Sequence, residues 1–421
     1  MKNFLRKHPF FDSLFALRGN TRACVYTEPL WSVPMNLYAP YISVYMAALL
    51  LTDKQIGMAA SVTMLFKAVS ALFSGAVTDK LGRKLTTLIF DVCGWSIPCL
   101  IWAFSQNVWW FMAAAAFNGL MQVTDNSWNC LLVEDAEKSE IVKIYSFVHM
   151  TGQLAVVFAP LAGILIDTLD VIPTLRILYF FSFLSMTAKF IILYFWSEET
   201  RTGLVRKQET ASLSIFKIMS GYGQIFRKIF ASREMVLALV ISAVFGITTM
   251  ISVNFFGLYT TGNLLIPQQY LAYFPILRAI VIAVFLFVIQ PKLNRFGFRV
   301  PMLIGVLLYA ASHVVLMLAP PENVAMPLLY IFFEACAYSF ILPRRDSLMV
   351  LLIDPAERAR IISIMTVITL SVSIPFGYLA GWLSDIDRRL PFGLDLVIFA
   401  AAFVVIAASR KALTKQLTID S

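Results

Sequence analysis

The sequence predicts an all-α polytopic membrane protein with twelve transmembrane helices in two six-helix, pseudo-symmetric bundles. Three observations carry that prediction. First, of 421 residues 59% are apolar, only 14% are charged and phenylalanine alone occurs 35 times. Soluble proteins carry about 25% charged residues, so a chain this poor in polar side chains cannot cover a water-facing globule, and its mean hydropathy of +0.77 agrees. Second, the apolar residues come in runs long enough to cross a bilayer, which takes about 20 residues each. Third, the basic residues between those runs alternate in density from one connection to the next.

In chain order, residues 1–25 carry Phe4, Phe10, Phe11, Leu14 and Phe15 among basic residues, the pattern of a short amphipathic helix lying on the cytoplasmic leaflet. They lack the apolar core of a signal peptide. Spans follow at 26–50, 55–78, 86–105, 108–133, 142–166 and 171–196, forming a first bundle over 26–196. A polar middle linker occupies 197–234, and its stretch 213–230 repeats the amphipathic theme with Ile215, Met219, Tyr222, Phe226 and Ile229 at helical spacing. Spans at 235–260, 269–290, 301–319, 325–352, 361–384 and 391–409 form a second bundle over 235–409, and 410–421 is a tail.

Twenty-five of the 34 Lys and Arg fall in the N-terminus, the even-to-odd connections, the linker and the tail, against Lys54, Arg176, Arg388 and Arg389 on the other side. The positive-inside rule therefore puts both termini and the linker in the cytoplasm. The pI near 9.3 is a topology signal, and nucleic acid is not expected as a partner. The five cysteines all lie in apolar runs and none forms a C-x-x-C pair, which reads as small buried hydrophobes rather than metal ligands.

The chain resembles itself across its middle. At an offset of 220, Asn126 through Lys138 matches Asp346 through Arg358; at 218, Leu161-Ala162-Gly163 matches Leu379-Ala380-Gly381; at 215, Asp79 through Lys84 meets Asn294 through Arg299. Six spans separate each pair, so the copies share orientation, and the plane between them is the expected substrate site.

Gly75-x-x-x-Asp79-Lys80-x-Gly82-Arg83-Lys84, between the second and third spans, resembles the signature loop of the major facilitator superfamily. Its degenerate copy at 294–299 and Glu198-Glu199-Thr200 after the sixth span are similar to that family's motifs, and the resemblance covers essentially the whole chain. It implies secondary transport by alternating access, a central cavity lined by spans 1, 4, 7 and 10, and a loop that latches the cytoplasmic gate. On the residues themselves, Gly75 would permit close helix approach, and Asp79 could accept from a helix N-terminus.

Ionisable groups inside spans are functional candidates by default. The fourth span carries Asn118, Gln122, Asp125 and Asn129 at helical spacing, and the repeat pairs Asp125 with Arg345. The tenth span presents Glu334, Tyr338 and Arg345; the first and seventh contribute Asn36 and Asn254. These eight cavity candidates (Asn36, Asn118, Gln122, Asp125, Asn129, Asn254, Tyr338 and Arg345) are joined by Glu334 and Asp125 as proton-coupling candidates. An Asp125–Arg pair either staples the halves or takes part in transport. Lys67, Asp91, Lys189 and Arg278 rank below, Glu28 reads as interfacial, and His149 and His313 read as structural.

Ala155-x-x-x-Ala159-Pro160-x-x-Gly163 partly resembles the antiporter motif of the family, which tilts the reading to export. No G-x-x-x-x-G-K-[ST] loop or H-E-x-x-H pattern is present, so neither an enzyme nor a cofactor is expected. The expectation is a monomeric secondary transporter of the cell membrane, moving a small molecule with a proton or other ion. An uptake symporter or uniporter for a polar solute, or a transporter-like receptor, is the alternative.

Overall fold

A computed structural model describes residues 14–137, 140–218, 222–293, 297–351 and 358–409. Most of the amphipathic N-terminus, the tail, Asn294-Arg295-Phe296 and residues 352–357 of the repeat lie outside that set. The described chain is helical throughout, and nine of its helices are long and apolar enough to cross a membrane. The other three predicted spans are helical but short or broken, each for a local reason.

The first span runs as α1 (Gly19–Thr27), α2 (Pro29–Tyr38) and α3 (Ile42–Ala48), joined through a 3-10 turn at Ala39–Tyr41. Pro29 and Pro40 stand at the two breaks, because proline supplies no N–H to the helical ladder, while Pro34 lies inside α2. Pro34 leaves the Leu30 carbonyl without its usual donor, and Ser185 Oγ of the sixth span donates to it at 2.8 Å. The helix starts at Gly19, seven residues before the apolar run. Thr21 Oγ1 donates to Leu132 O, and Cys24 and Val25 pack with Leu131, Leu132 and Phe147.

The second span is one helix, α4 (Asp53–Leu81), started by a capping box in which Thr52 and Gln55 bond each other's backbone N–H. Gly82, at φ +90°, ends it. The third span comprises α5 (Arg83–Asp91), a π-helical turn at Val92–Ser96, and α6 (Ile97–Phe104). The fourth is broken at Leu120 into α7 (Val108–Gly119) and α8 (Met121–Val133). There the Asn118 amide donates to Gly94 O of the π turn at 2.9 Å. A π turn disrupts the regular ladder, and a side-chain donor completes its bonding. The fifth and sixth spans are α9 (Ile141–Ala155) with α10 (Ala159–Leu169), and α11 (Val171–Trp196).

The linker folds as α12 (Arg201–Thr210), α13 (Ile215–Ile218) and α14 (Tyr222–Ala231). The apolar stripe of α14 does not lie on lipid as the sequence pattern suggested. Ile225 and Ile229 pack against Met235, Leu239, Ile361 and Met365, so protein covers it. The second set of spans follows as α15 (Arg233–Gly262), α16 (Tyr273–Val284), α17 (Gln290–Leu293), α18 (Arg299–Met317), α19 (Ala325–Leu351), α20 (Arg358–Ile386) and α21 (Leu390–Ala408). The eighth span is short because a 3-10 turn (Gln268–Ala272) and a π turn (Phe285–Ile289) bracket α16.

Some local bonds recur at a near-constant offset. Tyr45 Oη donates to Trp102 O at 2.9 Å, and Tyr259 Oη to Leu316 O at 3.1 Å, each 57 residues on. The Asn36 and Asn254 amides each donate 2.7 Å to the carbonyl four residues back.

One charged group expected at the interface is core. Glu28, read as interfacial, is 6% exposed and accepts from Lys189 at 2.9 Å. The ammonium also stands 5.6 Å from the rings of Trp31 and Trp128. His313, read as structural, is so placed: its Nδ1 donates to Tyr309 O at 2.9 Å, its Nε2 lies 3.1 Å from an Asp395 carboxylate oxygen, and Thr248 Oγ1 donates to the same carboxylate at 3.1 Å.

Candidate functional site

The spans before the linker and the spans after it meet closely at the end of the bundle opposite the basic connections, and the sequence dictates how. Helices α4 and α20 cross on glycine. A Cβ at Gly57 would meet the Gly377 carbonyl oxygen and lie 2.7 Å from Gly381 Cα, so no larger residue fits. Just beyond, Arg388 grips Asp53 through Nε at 2.8 Å and Nη2 at 3.1 Å. Ser384 Oγ donates to Asp53 at 2.6 Å. One turn deeper the Ser61 hydroxyl inserts into the α20 ladder, donating to Ile374 O and accepting from Tyr378 N. Gly163 of α10 abuts the Gln269 carbonyl, which also accepts from Tyr41 Oη at 3.4 Å. Toward the basic end, the described hydrogen bonds joining the two sets reduce to Ser363 Oγ on Ala71 O.

Between them lies a cavity of about 740 Å³. Its walls come from both sets: Tyr38 of α2, Lys67 of α4, Trp95 and Trp102 of the third span, Phe111 and Asn118 of α7. Facing them are Phe245 and Asn254 of α15, Arg278 of α16, Tyr338 and Arg345 of α19, and Thr369 and Ser373 of α20. Six methionines (Met35, Met46, Met64, Met121, Met250 and Met365) fill the apolar stretches between them.

Of the predicted cavity residues, the structure puts Asn118, Asn254, Tyr338 and Arg345 on this wall, and leaves Asn36, Gln122, Asp125 and Asn129 off it. The break at Leu120 explains the last three, since the stripe was drawn on one continuous helix. Asn129 instead donates to Asp125 O and accepts from Tyr145 Oη at 3.1 Å. Asn36 turns its amide onto Ser32 O. Asp125 faces the charge of Lys67 rather than an arginine across the axis, and the Arg345 guanidinium carbon stands 5.5 Å from the Phe245 ring centre.

Glu334 sits just behind the wall. Arg278 binds it with both arms, Nε at 2.7 Å and Nη2 at 3.1 Å, and the guanidinium lies 4.5 Å over the Tyr338 ring. Tyr309 Oη donates to the same carboxylate at 3.4 Å. Sequence reasoning ranked Lys67 and Arg278 too low, because a single charge on an apolar face gives no sign of the neighbour it meets. The hydroxyls of α20 had no sequence signal beyond a Thr and Ser at helical spacing.

At the basic end the loop residues form one cluster. Arg83 bonds Glu134 through Nε at 3.0 Å and Nη2 at 3.1 Å, and Asp79 through Nη1 at 3.0 Å. The acceptor at the α5 N-terminus is Glu199, not Asp79: it takes Arg83 N at 2.8 Å and Lys84 N at 3.2 Å. Its oxygen occupies the space a Cβ on Gly82 would fill. Asp79 O accepts from Thr210, and Lys80 Nζ donates to Leu213 O at 2.8 Å, tying the loop to the linker. Lys84 caps the Tyr194 ring at 4.4 Å. Gly75 makes no close approach here, since a Cβ would meet only Tyr222 Oη at 3.9 Å.

The family model described as "Major Facilitator Superfamily" matches residues 32–275. The chain belongs to the major facilitator superfamily. It is a multi-pass membrane protein with the helical fold of that superfamily. A 345-residue stretch, 78% of the chain and 80% of the relative, is 24% identical to the Multidrug resistance protein MdtG of Proteus mirabilis (strain HI4320). A 198-residue stretch is 28% identical to the MdtG protein of Rahnella sp. (strain Y9602), covering 45% of the chain and 48% of that relative. The chain thus spans about half the length of the first relatives it matches. Among solved structures, the nucleoside transporter NupG superposes with a TM-score of 0.70 at 15% identity, covering 94% of this chain and 100% of that one. The POT family transporter PepTSo superposes at 0.73 with 12% identity, covering 94% and 98%.

Proposed function

We propose that this superfamily member is a secondary transporter that exports a small organic molecule across the cell membrane by alternating access, coupled to protons. The observation that carries the reading is the 740 Å³ cavity walled by both sets of spans and sealed at one end by contacts between them. Rocking one set against the other would open the glycine crossing and the Asp53–Arg388 clasp while closing the basic end. The similarity of corresponding bonds in the two sets supports a pseudo-symmetric pair of bundles. The concentration of Lys and Arg at the basic end supports a cytoplasmic location for it and for both termini. The cavity is complete within one chain, as a monomeric transporter requires.

Export is favoured by the likeness to MdtG and by a wall rich in methionine and aromatic rings, which adapts to varied apolar shapes. Glu334 is the coupling group: a proton on it discharges the carboxylate and frees Arg278 toward the cavity, and its loss restores the pair. Asp125 beside Lys67 is the second candidate. The Asp79–Arg83–Glu134–Glu199 cluster holds the loop as a rigid half of the cytoplasmic gate. In proteoliposomes with an imposed pH gradient, Glu334→Gln should abolish gradient-driven substrate movement while binding persists. Unaltered gradient-driven flux in that variant would refute the coupling assignment.

A further inference from the structure

Building on the transport reading, we infer that the cavity selects an amphipathic organic anion, an aromatic or alicyclic body carrying one carboxylate, sulfonate or phosphonate group. The charged residues of the described wall are Lys67, Arg278 and Arg345, all cationic, and no carboxylate lines it. Glu334 occupies Arg278 from behind. Lys67 makes no hydrogen bond or ion pair with any described residue, and Asp125, whose charge it feels, lies off the wall. An ammonium in apolar surroundings is costly without a counter-charge at contact distance, and an anionic ligand supplies one. A cationic ligand would meet like charge from both sets of spans, a mismatch that rejects partners in interfaces generally.

The rest of the wall fits the body of such a molecule. Lys67 lies on α4 and Arg345 on α19, so an anion in the cavity meets positive charge from both sets of spans. Phe245, under the Arg345 guanidinium, and Tyr338, under that of Arg278, offer ring faces beside the cationic groups, and Trp95 adds another to the wall. Methionine and aromatic surface accommodates rings of differing outline.

The test uses naphthalene-2-sulfonate, its neutral analogue 2-naphthyl methyl sulfone and the cationic (2-naphthyl)trimethylammonium, which share one ring. Binding to the purified full chain is measured by calorimetry, and flux of each probe in proteoliposomes. The expected result is tightest binding of the sulfonate, weakened about tenfold or more by Lys67→Met and by Arg345→Gln, which is about 1.4 kcal/mol each. Lys67→Arg should restore it, and melting temperatures report that each variant is folded. Preference for the ammonium probe, equal binding of all three, or no binding of any overturns the anion assignment. Selective sulfonate binding without flux of any probe leaves that assignment standing and counts against transport instead.

Discussion

Replacing Gly57 with leucine should wedge open the closed end of the bundle. A Cβ at this position already lies 2.7 Å from Gly381 Cα, whereas carbon atoms rest at about 3.5–4.0 Å. Helices α4 and α20 must therefore part by about 1 Å for alanine and by more for leucine. Overpacking of this kind costs about 1–3 kcal/mol, and it falls only on the state in which the crossing is closed. The equilibrium between the two access states should shift by roughly 5- to 150-fold. With the native cysteines replaced, spin labels at Leu50 and Leu265, both exposed near this end, report the separation of the two sets by pulsed electron resonance. Gly57→Leu should add a longer-distance population. Gly119→Ala is the control, because its Cβ would lie 2.8 Å from Lys67 N within the first set of spans. It should lower the melting temperature without adding that population. A single short distance in Gly57→Leu with an unchanged melting temperature would refute the reasoning.

Three further outcomes follow from the same geometry. Arg388→Gln and Asp53→Asn should each favour the open end, with a coupling in a double-mutant cycle of about 1 kcal/mol, since Arg388 is 30% exposed at its side chain. Additive effects on the same label distances would remove the clasp from the gate. Glu199→Ala should destabilise the detergent-solubilised protein by about 0.5–2 kcal/mol through loss of the α5 acceptor, while Glu198→Ala should not, and equal melting temperatures for the two would contradict it. Asp395→Ala strands Thr248 and His313 inside the second set of spans and should cost about 1–3 kcal/mol per orphaned group, visible as a lower melting temperature, with no loss expected if the network is idle.

Much of the fold was legible because lipid imposes a simple code. Long apolar runs located the nine helices that are long enough to cross a membrane, and a Gly-Asp-Gly-Arg spacing located the loop. The breaks were harder. Pro29 and Pro40 announced two, but the π turn at Val92–Ser96 and the interruption at Leu120 arise from the fit between spans 3 and 4, where Gly94 and Asn118 meet. That interruption misplaced Asp125, since angular position on a helix is predictable only while the helix is continuous. Arg278 and Lys67 were underweighted for a related reason: the partner of a lone charge sits on another span, and Glu334 is 56 residues away from Arg278. The Glu28–Lys189 pair, 161 residues apart, was hidden in the same way.

The central claim is that this cavity carries a solute through the membrane, and flux in proteoliposomes tests it most directly. With purified protein and an imposed pH gradient, the matched naphthalene probes should give saturable movement of the sulfonate that Glu334→Gln uncouples and whose half-saturating concentration Arg345→Gln raises about tenfold or more. Movement of all three probes no faster than in protein-free vesicles would contradict the claim.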